Sequence, residues 1–295
     1  MKRIFPKTVR DVTGAEPIGL PAVNDALRTL VADYLKAASD AFILPKFGNL
    51  QSADIGVKTG PYDLVTVADK DAELWLAPRL QELQAGHCIG EEAVAETPEL
   101  RHYAGDGYAW SIDPIDGTNN FVNGVADFCS MVALMWNGVP MQCWIWLPVK
   151  QTLYYAAAGS GAYCYHDAST TALQISQPPV DPLVMRGSGN TKGLEEPYKS
   201  AVLSRMRTIA GRHYIGSAGV LATRIAEGKE DFLMHGRATP WDHAPVDLLC
   251  REAGGHAAMI AGAKPFNAVD DGPIMAASSL VGWQELHRHV WIKRQ

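Results

Sequence analysis

Cysteine is scarce in this chain, and the few that occur show no pairing pattern. They stand at positions 88, 129, 143, 164 and 250, which is an odd number without any Cys-x-x-Cys spacing. Such a pattern gives no support to a disulfide framework. We therefore expect the cysteines to be buried thiols of a protein in a reducing compartment.

Long apolar runs and basic clusters are also missing. No run approaches the length of a membrane span, and the first ten residues carry positive charge without an apolar core of signal-peptide length. The formal net charge is -6 at pH 7, which argues against a nucleic-acid-binding surface. These absences predict a cytoplasmic protein with neither a membrane nor a nucleic acid as partner.

The composition is that of an ordinary globular protein. The chain has 295 residues, of which 47% are hydrophobic and 20% are charged, so it can bury a sizeable core in one large domain or two. A stripe of apolar residues at helical spacing predicts an early helix with one buried face. Its members are Val23, Leu27, Leu30, Val31, Tyr34, Leu35, Ala38 and Phe42.

The remaining patterns predict a layered α/β architecture. The apolar tract from Phe128 to Tyr165 is expected to divide into antiparallel strands at Asn137-Gly138, a strong hairpin signal, and again near Pro148. Beyond residue 180 the patterns alternate between strands and helices. We expect an α+β half over residues 1–180 and an α/β half over residues 181–295, which together form one catalytic unit with the site between them.

The most informative motif is Trp110-Ser-Ile-Asp113-Pro-Ile-Asp116-Gly117-Thr118, in which an apolar stretch ends in two acids, a glycine and a hydroxyl. Two carboxylates three residues apart at a strand end suit hard divalent cations. A helix that opens at Gly117-Thr118 would offer free N–H groups to a phosphate. Taken alone, the string is also typical of an ordinary surface turn.

Three further acids stand at the ends of predicted elements. Glu91 follows a short apolar segment that ends at Gly90, Asp69 opens a predicted helix after an alternating run that starts at Asp63, and Asp242 precedes a helical stripe. The simpler interpretation is that Asp69 and Asp242 are helix N-caps and that Glu91 is a solvated acid. Element ends are, however, where α/β chains gather their sites.

The combined pattern resembles the inositol monophosphatase family, from about residue 20 to about residue 280. The matching segments, in order, are Asp63-Leu-Val-Thr-Val-Ala-Asp69, Gly90-Glu91-Glu92, Asp113-Pro-Ile-Asp116-Gly-Thr118-Asn-Asn-Phe, Gly216-Ser217-Ala218, Trp241-Asp242-His-Ala-Pro and Glu252-Ala-Gly-Gly. The resemblance implies the five-layer αβαβα sugar-phosphatase fold. It also implies a magnesium-dependent, lithium-sensitive phosphomonoesterase that acts on a small phosphate ester, and a homodimer.

The resemblance also implies a role for each matching residue. The implied ligands of two to three Mg²⁺ ions are Glu91, Asp113, the carbonyl of Ile115, Asp116 and Asp242, with Asp113 bridging two ions. The implied catalytic residues are Asp69, Thr118 and Glu91, of which Asp69 accepts a hydrogen bond from Thr118 so that the pair orients the attacking water. The implied substrate-binding residues are Asp116, Gly117, Thr118, Ser217, Ala218, His235 and Asp242, and the amides of Gly117 and Thr118 hold the phosphate. Lys58 matches a mobile active-site loop, although a lysine beside glycine is usually only solvated loop.

Packed carboxylates explain why a cation belongs to such a site. They repel one another and raise the pKa of at least one of their number unless a cation neutralises them. Magnesium prefers oxygen ligands and retains waters, one of which can act as nucleophile. We therefore expect Asp113→Asn to abolish turnover without unfolding the protein.

The identity of the substrate is left open by one departure from the family pattern. Inositol-specific members carry a glutamate seven residues before the last metal-binding aspartate, whereas this chain has His235. This histidine is expected to contact a polyol, a second phosphate or an imidazole-bearing substrate, or to be merely hydrogen-bonded or solvent-facing. Myo-inositol monophosphate is the first candidate; histidinol phosphate, fructose bisphosphate and adenosine bisphosphates are the alternatives. A non-catalytic regulator that binds a protein or RNA machinery is the rival interpretation.

Overall fold

The computed structural model describes residues 25–57 and 64–292, and within these ranges helices and strands are interleaved along the chain. The α-helices are α1 (Asp25–Ala38), α2 (Val67–Leu83), α3 (Glu91–Glu96), α4 (Thr118–Val122), α5 (Tyr198–Met206), α6 (Ala218–Ala226), α7 (Pro240–Glu252) and α8 (Leu280–Leu286). The strands are β1 (Ile55–Val57), β2 (Leu64–Thr66), β3 (His87–Gly90), β4 (Tyr108–Asp116), β5 (Cys129–Trp136), β6 (Val139–Leu147), β7 (Thr152–Ala157), β8 (Gly161–His166), β9 (Ser169–Leu173), β10 (Arg186–Gly189), β11 (Gly211–Arg212), β12 (Phe232–His235), β13 (His256–Met259) and β14 (Ile274–Ala277).

Two large sheets carry most of the strands. The first has seven strands in the order β3-β4-β5-β6-β7-β8-β9, and only its β3–β4 pair is parallel. The second has five strands in the order β11-β10-β12-β14-β13, with β10 parallel to both of its neighbours and β14 antiparallel to both of its own. Strands β1 and β2 form a separate antiparallel pair.

The helices and sheets alternate in five layers. Helices α1 and α2 pack on the outer face of the seven-stranded sheet, α6 and α7 lie between the two sheets, and α5 and α8 belong to the outer side of the five-stranded sheet. Three apolar clusters fill the spaces between these layers. This arrangement confirms the predicted αβαβα architecture.

The middle layer explains why α6 is apolar on all sides. Eight of its nine residues are buried, the exception being Arg224 in the last turn. A helix pressed between two sheets has no solvent face, so its sequence lacks the usual polar stripe. None of the described helices combines the length and the apolar character needed to cross a bilayer.

The hairpin expected at Asn137-Gly138 is confirmed. Both residues adopt positive φ angles, 49° and 78°, as a two-residue turn of type I′ requires, and they join antiparallel β5 and β6. The break near Pro148 is confirmed as well, because β6 ends at Leu147 and pairs with β7.

Two expectations about burial are wrong in part. Leu30, assigned to the buried stripe of α1, is 41% exposed, whereas Val31, Leu35 and Ala38 are buried; the contacting face of α1 is therefore narrower than the apolar stripe. Val23 lies outside the described residues. All five cysteines are free, but Cys88 and Cys164 are only half-buried.

Candidate metal and phosphate site

The site is organised around the end of β4, where the strand is irregular. Between Asp113 and Asp116, three steps of β4 are matched by two steps of β5, since these residues pair with Met131 and Cys129. Strict alternation would put positions 113 and 116 on opposite faces of the sheet. A bulge re-aims side chains, and Pro114, which has no N–H to give to the ladder, lies within it.

A third carboxylate approaches from α7. Carboxylate oxygens of Asp113, Asp116 and Asp242 all lie within 4.8 Å of one another. Asp113 and Asp116 are buried, and Asp242 is partly exposed. Several carboxylate oxygens at this separation are the donor set that a hard divalent cation prefers, so the residues present fit Mg²⁺.

The other two residues predicted as ligands, Glu91 and Ile115, lie near this group of carboxylates in the chain fold. Glu91 is the first residue of α3, directly after β3, and lines the same cleft as Asp116 and Asp242. It lies outside the close group of three carboxylates. The backbone carbonyl of Ile115 accepts a hydrogen bond of 3.1 Å from the hydroxyl of Thr118.

The pKa values of two clustered acids, Asp242 and Asp116, are raised. Burial, and then the charges of Asp116 and Glu91, raise the pKa of Asp242 from 3.8 to about 7. Burial also raises the pKa of Asp116, although hydrogen bonds from Ser217 and from the amide of Gly219 oppose this shift. Without a cation, the cluster therefore favours carrying protons.

Helix α6 supports Asp116 from the other side of the site. The hydroxyl of Ser217 donates to Oδ2 of Asp116, and the amide of Gly219 donates to the same oxygen at 2.7 Å. Ser217 is also the N-cap of α6, because its hydroxyl accepts from the amide of Val220 at 3.1 Å. A single cap thus anchors a helix and orients a carboxylate.

Gly117 makes the sharp turn after β4. Its φ of 95° lies in the left-handed region, which a residue with a side chain adopts only under strain. A Cβ at this position would lie 3.1 Å from Cβ of Ser217. The expectation that a helix opens here is confirmed, because α4 begins at Thr118.

The interpretation of Asp69 and Asp242 as helix N-caps is wrong, because each helix begins about one turn before its aspartate. Helix α2 begins at Val67 with Thr66 as its N-cap, and α7 begins at Pro240 with Thr239 as its N-cap. Each aspartate is the third residue of its helix and bonds back to the threonine: the amide and hydroxyl of Thr66 donate to Asp69, and the hydroxyl of Thr239 donates to Asp242 at 2.9 Å. The capping-box spacing Thr-x-x-Asp, present at both places in the sequence, is the signal that finds these starts.

Asp69 and Thr118 have other partners than each other. Asp69 accepts from the Thr66 amide at 2.8 Å, while Thr118 donates to the Ile115 carbonyl instead of to Asp69. Burial raises the pKa of Asp69 to about 7, with Glu92 and Glu91 contributing in the same direction.

A buried acid that the sequence reasoning missed caps the start of α3. Both carboxylate oxygens of Glu73 accept backbone amides at the start of α3, from Glu92 at 2.9 Å and from Ala93 at 2.8 Å. Glu73 is therefore a cap for α3 supplied by α2. A Cβ at position 90 would lie 2.2 Å from the Glu73 carboxylate, so a side chain there would displace the carboxylate from the α3 amides.

The remaining predicted residues line one cleft of about 970 Å³. Ser217, Ala218 and His235 contribute to its wall together with Glu91, Asp116 and Asp242. His235 is hydrogen-bonded to His243, with 2.9 Å between Nδ1 of His235 and Nε2 of His243, and burial lowers the pKa of His235 to about 4. Lys58 and Asp63 lie outside the described residues.

Comparison with known proteins finds similar sequences and similar structures. The inositol-1-monophosphatase of Bacillus subtilis is 30% identical to the chain over 230 residues, which are 77% of this chain and 84% of the relative. The structure of an IMPase from Thermotoga maritima matches with a TM-score of 0.72 at 25% identity, covering 90% of this chain and 97% of that one. A structure described as an IMPase/NADP phosphatase complexed with Mg²⁺ and phosphate has a TM-score of 0.71 at 19% identity, covering 91% and 96%.

Residues 27–294 match the model of the inositol monophosphatase family, and the chain belongs to this family. Its members are metal-dependent phosphatases that hydrolyse phosphomonoesters. The chain is accordingly a phosphoric monoester hydrolase of the inositol monophosphatase family.

Proposed function

We propose that the protein is a magnesium-dependent phosphomonoesterase that hydrolyses a small phosphorylated metabolite, with myo-inositol monophosphate as its first candidate substrate. The observation that carries the proposal is the convergence of Asp113, Asp116 and Asp242 within 4.8 Å at the edge of a wide cleft. Phosphoryl transfer needs alignment and charge neutralisation more than covalent work by the protein, and a cation cluster beside a cleft answers both needs.

The proposed ligands of two to three Mg²⁺ ions are Glu91, Asp113, the Ile115 carbonyl, Asp116 and Asp242. When bound, magnesium lowers the pKa of a water and neutralises charge on the transferring phosphate. Burial is the main cause of the raised pKa values of Asp116 and Asp242, and a bound cation would oppose it by favouring the ionised carboxylates. Ser217 and the Gly219 amide keep Asp116 oriented.

The proposed roles of Asp69 and Thr118 are to orient the attacking water. This role requires Thr118 to exchange its present acceptor, the carbonyl of Ile115, for Asp69. The amides of Gly117 and Thr118 are the proposed phosphate contacts, since they follow the acids directly at the turn after β4. Ser217, Ala218 and His235, which line the cleft, are the proposed contacts to the rest of the substrate.

A phosphate-release assay tests the proposal. The purified protein is supplied with inositol, sugar, histidinol and nucleotide phosphates, in MgCl₂ or in EDTA. We expect release from at least one ester in MgCl₂ and none in EDTA. Absence of release from every ester, or equal release in EDTA, contradicts the proposal.

The matched variants are Asp113→Asn and Asp106→Asn. Asp113 belongs to the carboxylate cluster, whereas the side chain of Asp106 is 77% exposed and follows the helical segment Pro98–Gly105. We expect Asp113→Asn to reduce kcat by at least about 10³-fold with an unchanged circular dichroism spectrum, since it removes a carboxylate that would hold the Mg²⁺ that neutralises the reacting phosphate. Asp106→Asn is expected to behave as the wild type. Retained turnover in Asp113→Asn would overturn the assignment.

Three finer expectations belong to the same proposal. Lithium is expected to inhibit, which a LiCl titration of phosphate release tests. A homodimer is expected, which light scattering on the eluting protein tests. A cytoplasmic location is expected, which cell fractionation tests.

A further inference from the structure

Two hydrogen-bonded histidines lie on the wall of the cleft. His235 is the last residue of β12, and His243 lies in α7 directly after Asp242. Nδ1 of His235 is 2.9 Å from Nε2 of His243, and the two rings are nearly perpendicular, at 86° with centroids 5.0 Å apart. His243 is fully buried, while His235 is partly exposed to the cleft.

The contacts of Nδ1 of His243 determine which ring nitrogen of this residue carries the proton. The backbone amide of Thr239 donates to Nδ1 of His243 at 3.0 Å, and an amide N–H is always a donor, so Nδ1 must be the acceptor and carries no proton. The carbonyl of Thr239, 3.2 Å from Nδ1, accepts the backbone amide of His243 and receives no proton from the unprotonated Nδ1. The hydroxyl of Thr239 donates to Asp242. The proton of His243 is therefore on Nε2.

The hydrogen bond between the rings also determines which nitrogen of His235 carries the proton. Since Nε2 of His243 is the donor between the rings, Nδ1 of His235 is the acceptor and carries no proton. The proton of His235 is then on Nε2. Among the described residues, none accepts a hydrogen bond from this Nε2–H, and the ring lines the cleft beside Asp242. Thr239 and His243 thus hold His235 as a neutral donor of fixed orientation.

We propose that His235 is a specificity-determining residue that offers its Nε2–H to the leaving group of the ester, and that His243 is the positioning residue that fixes this donor. The inference rests on the proposed function and deepens it. The complementary leaving group presents an acceptor oxygen, either a hydroxyl of a polyol or sugar or an oxygen of a second phosphate. An ammonium group, which has only donors, does not match.

The first test reads the ring protons directly and needs no turnover. Long-range ¹H–¹⁵N correlation spectra of the full-length protein, labelled on histidine, show which ring nitrogen carries the proton. Spectra of His235→Gln and His243→Phe assign the two rings. We expect both histidines to be protonated on Nε2 only. A proton on Nδ1 of His235 in the wild type would overturn the proposal.

The second test is kinetic and uses a graded set of substitutions. His235→Gln keeps an N–H donor, His235→Leu removes it, and His235→Glu replaces it with an acceptor. For myo-inositol 1-phosphate and fructose 1,6-bisphosphate we expect His235→Leu to raise KM about tenfold, the loss of roughly one hydrogen bond, and His235→Gln to recover part of it. Myo-inositol 1-phosphate offers only hydroxyl acceptors in its leaving group, whereas fructose 1,6-bisphosphate also offers the oxygens of a second phosphate.

A matched pair of esters tests the polarity of the contact. Glucose 6-phosphate and glucosamine 6-phosphate differ by a hydroxyl and an ammonium, and we expect His235→Glu to shift the ratio of their kcat/KM values toward the ammonium ester by at least fivefold. His243→Phe, which keeps an aromatic ring but removes the hydrogen bond to His235, is expected to raise KM more than it lowers kcat. His166→Leu is the control, because His166 lies at the end of β8 outside this cleft.

The outcomes separate this inference from the proposed function. A wild-type protein that releases phosphate from no ester contradicts the function. A wild-type protein that is active, but whose KM is the same in His235→Leu, contradicts the role of His235 alone. A KM unchanged in His243→Phe contradicts the positioning role of His243.

Discussion

Removal of metal at neutral pH is expected to destabilise the fold through Asp242. The pKa of this partly buried acid is raised from 3.8 to about 7 in the folded protein, first by burial and then by Asp116 and Glu91. Below pH 4 both folded and unfolded chains hold the proton, so the group has no effect. Between pH 4 and pH 7 the unfolded chain releases the proton and the folded chain keeps it. The free energy of unfolding therefore falls as the pH rises through this window.

The magnitude follows from the size of the shift. A difference of about three pKa units amounts to on the order of 4 kcal/mol at pH 8, when the folded form must ionise a group that its surroundings disfavour. About 3 kcal/mol of this loss is expected between pH 5 and pH 8. A bound cation favours the ionised carboxylate and so reverses the loss.

Urea unfolding at pH 5 and pH 8, each in EDTA and in MgCl₂, measures the effect. We expect metal-free protein to be less stable at pH 8 than at pH 5, and MgCl₂ to stabilise it far more at pH 8. Asp242→Asn is expected to be more stable than the wild type in EDTA at pH 8 and to gain little from MgCl₂. Asp106→Asn is the exposed control. Stabilisation by MgCl₂ that is equal at the two pH values would refute the reasoning.

Three substitutions test the supports of the site, each by urea unfolding and by the MgCl₂ concentration needed for activity. Gly90→Ala places a Cβ 2.2 Å from the Glu73 carboxylate and is expected to lower the free energy of unfolding by about 2–3 kcal/mol; unchanged stability would contradict this packing. Glu73→Gln removes one of two acceptors for the α3 amides, with an expected loss of about 1–3 kcal/mol and weaker magnesium activation. Ser217→Ala is expected to lower stability by about 1 kcal/mol as a lost N-cap and to weaken magnesium activation through Asp116.

The sequence predicted the architecture because its signals are local. Asn137-Gly138 dictates a turn by its backbone preferences, and the acids at the ends of β3, β4 and the start of α7 stand where elements end. The burial of Leu30 was predicted wrongly, since periodicity shows which residues share a helix face and not how wide the contact with the next layer is.

The supports of the site could not be predicted, because they depend on contacts between distant segments. Glu73 looks like one more polar residue on a helix, and only the folded chain places it against the amides of α3. His235 and His243 lie eight residues apart, yet their hydrogen bond depends on β12 ending beside α7. The bulge that aligns Asp113 with Asp116 likewise follows from pairing with β5.

The position of α7 in the middle layer has a consequence for synthesis of the protein. Asp113 and Asp116 leave the ribosome long before Asp242, and the helix that brings Asp242 to them packs on both sheets. A nascent chain that has emerged only through the seven-stranded sheet has two of the three clustered carboxylates. Emergence of α7 from the ribosome therefore precedes completion of the proposed cation site.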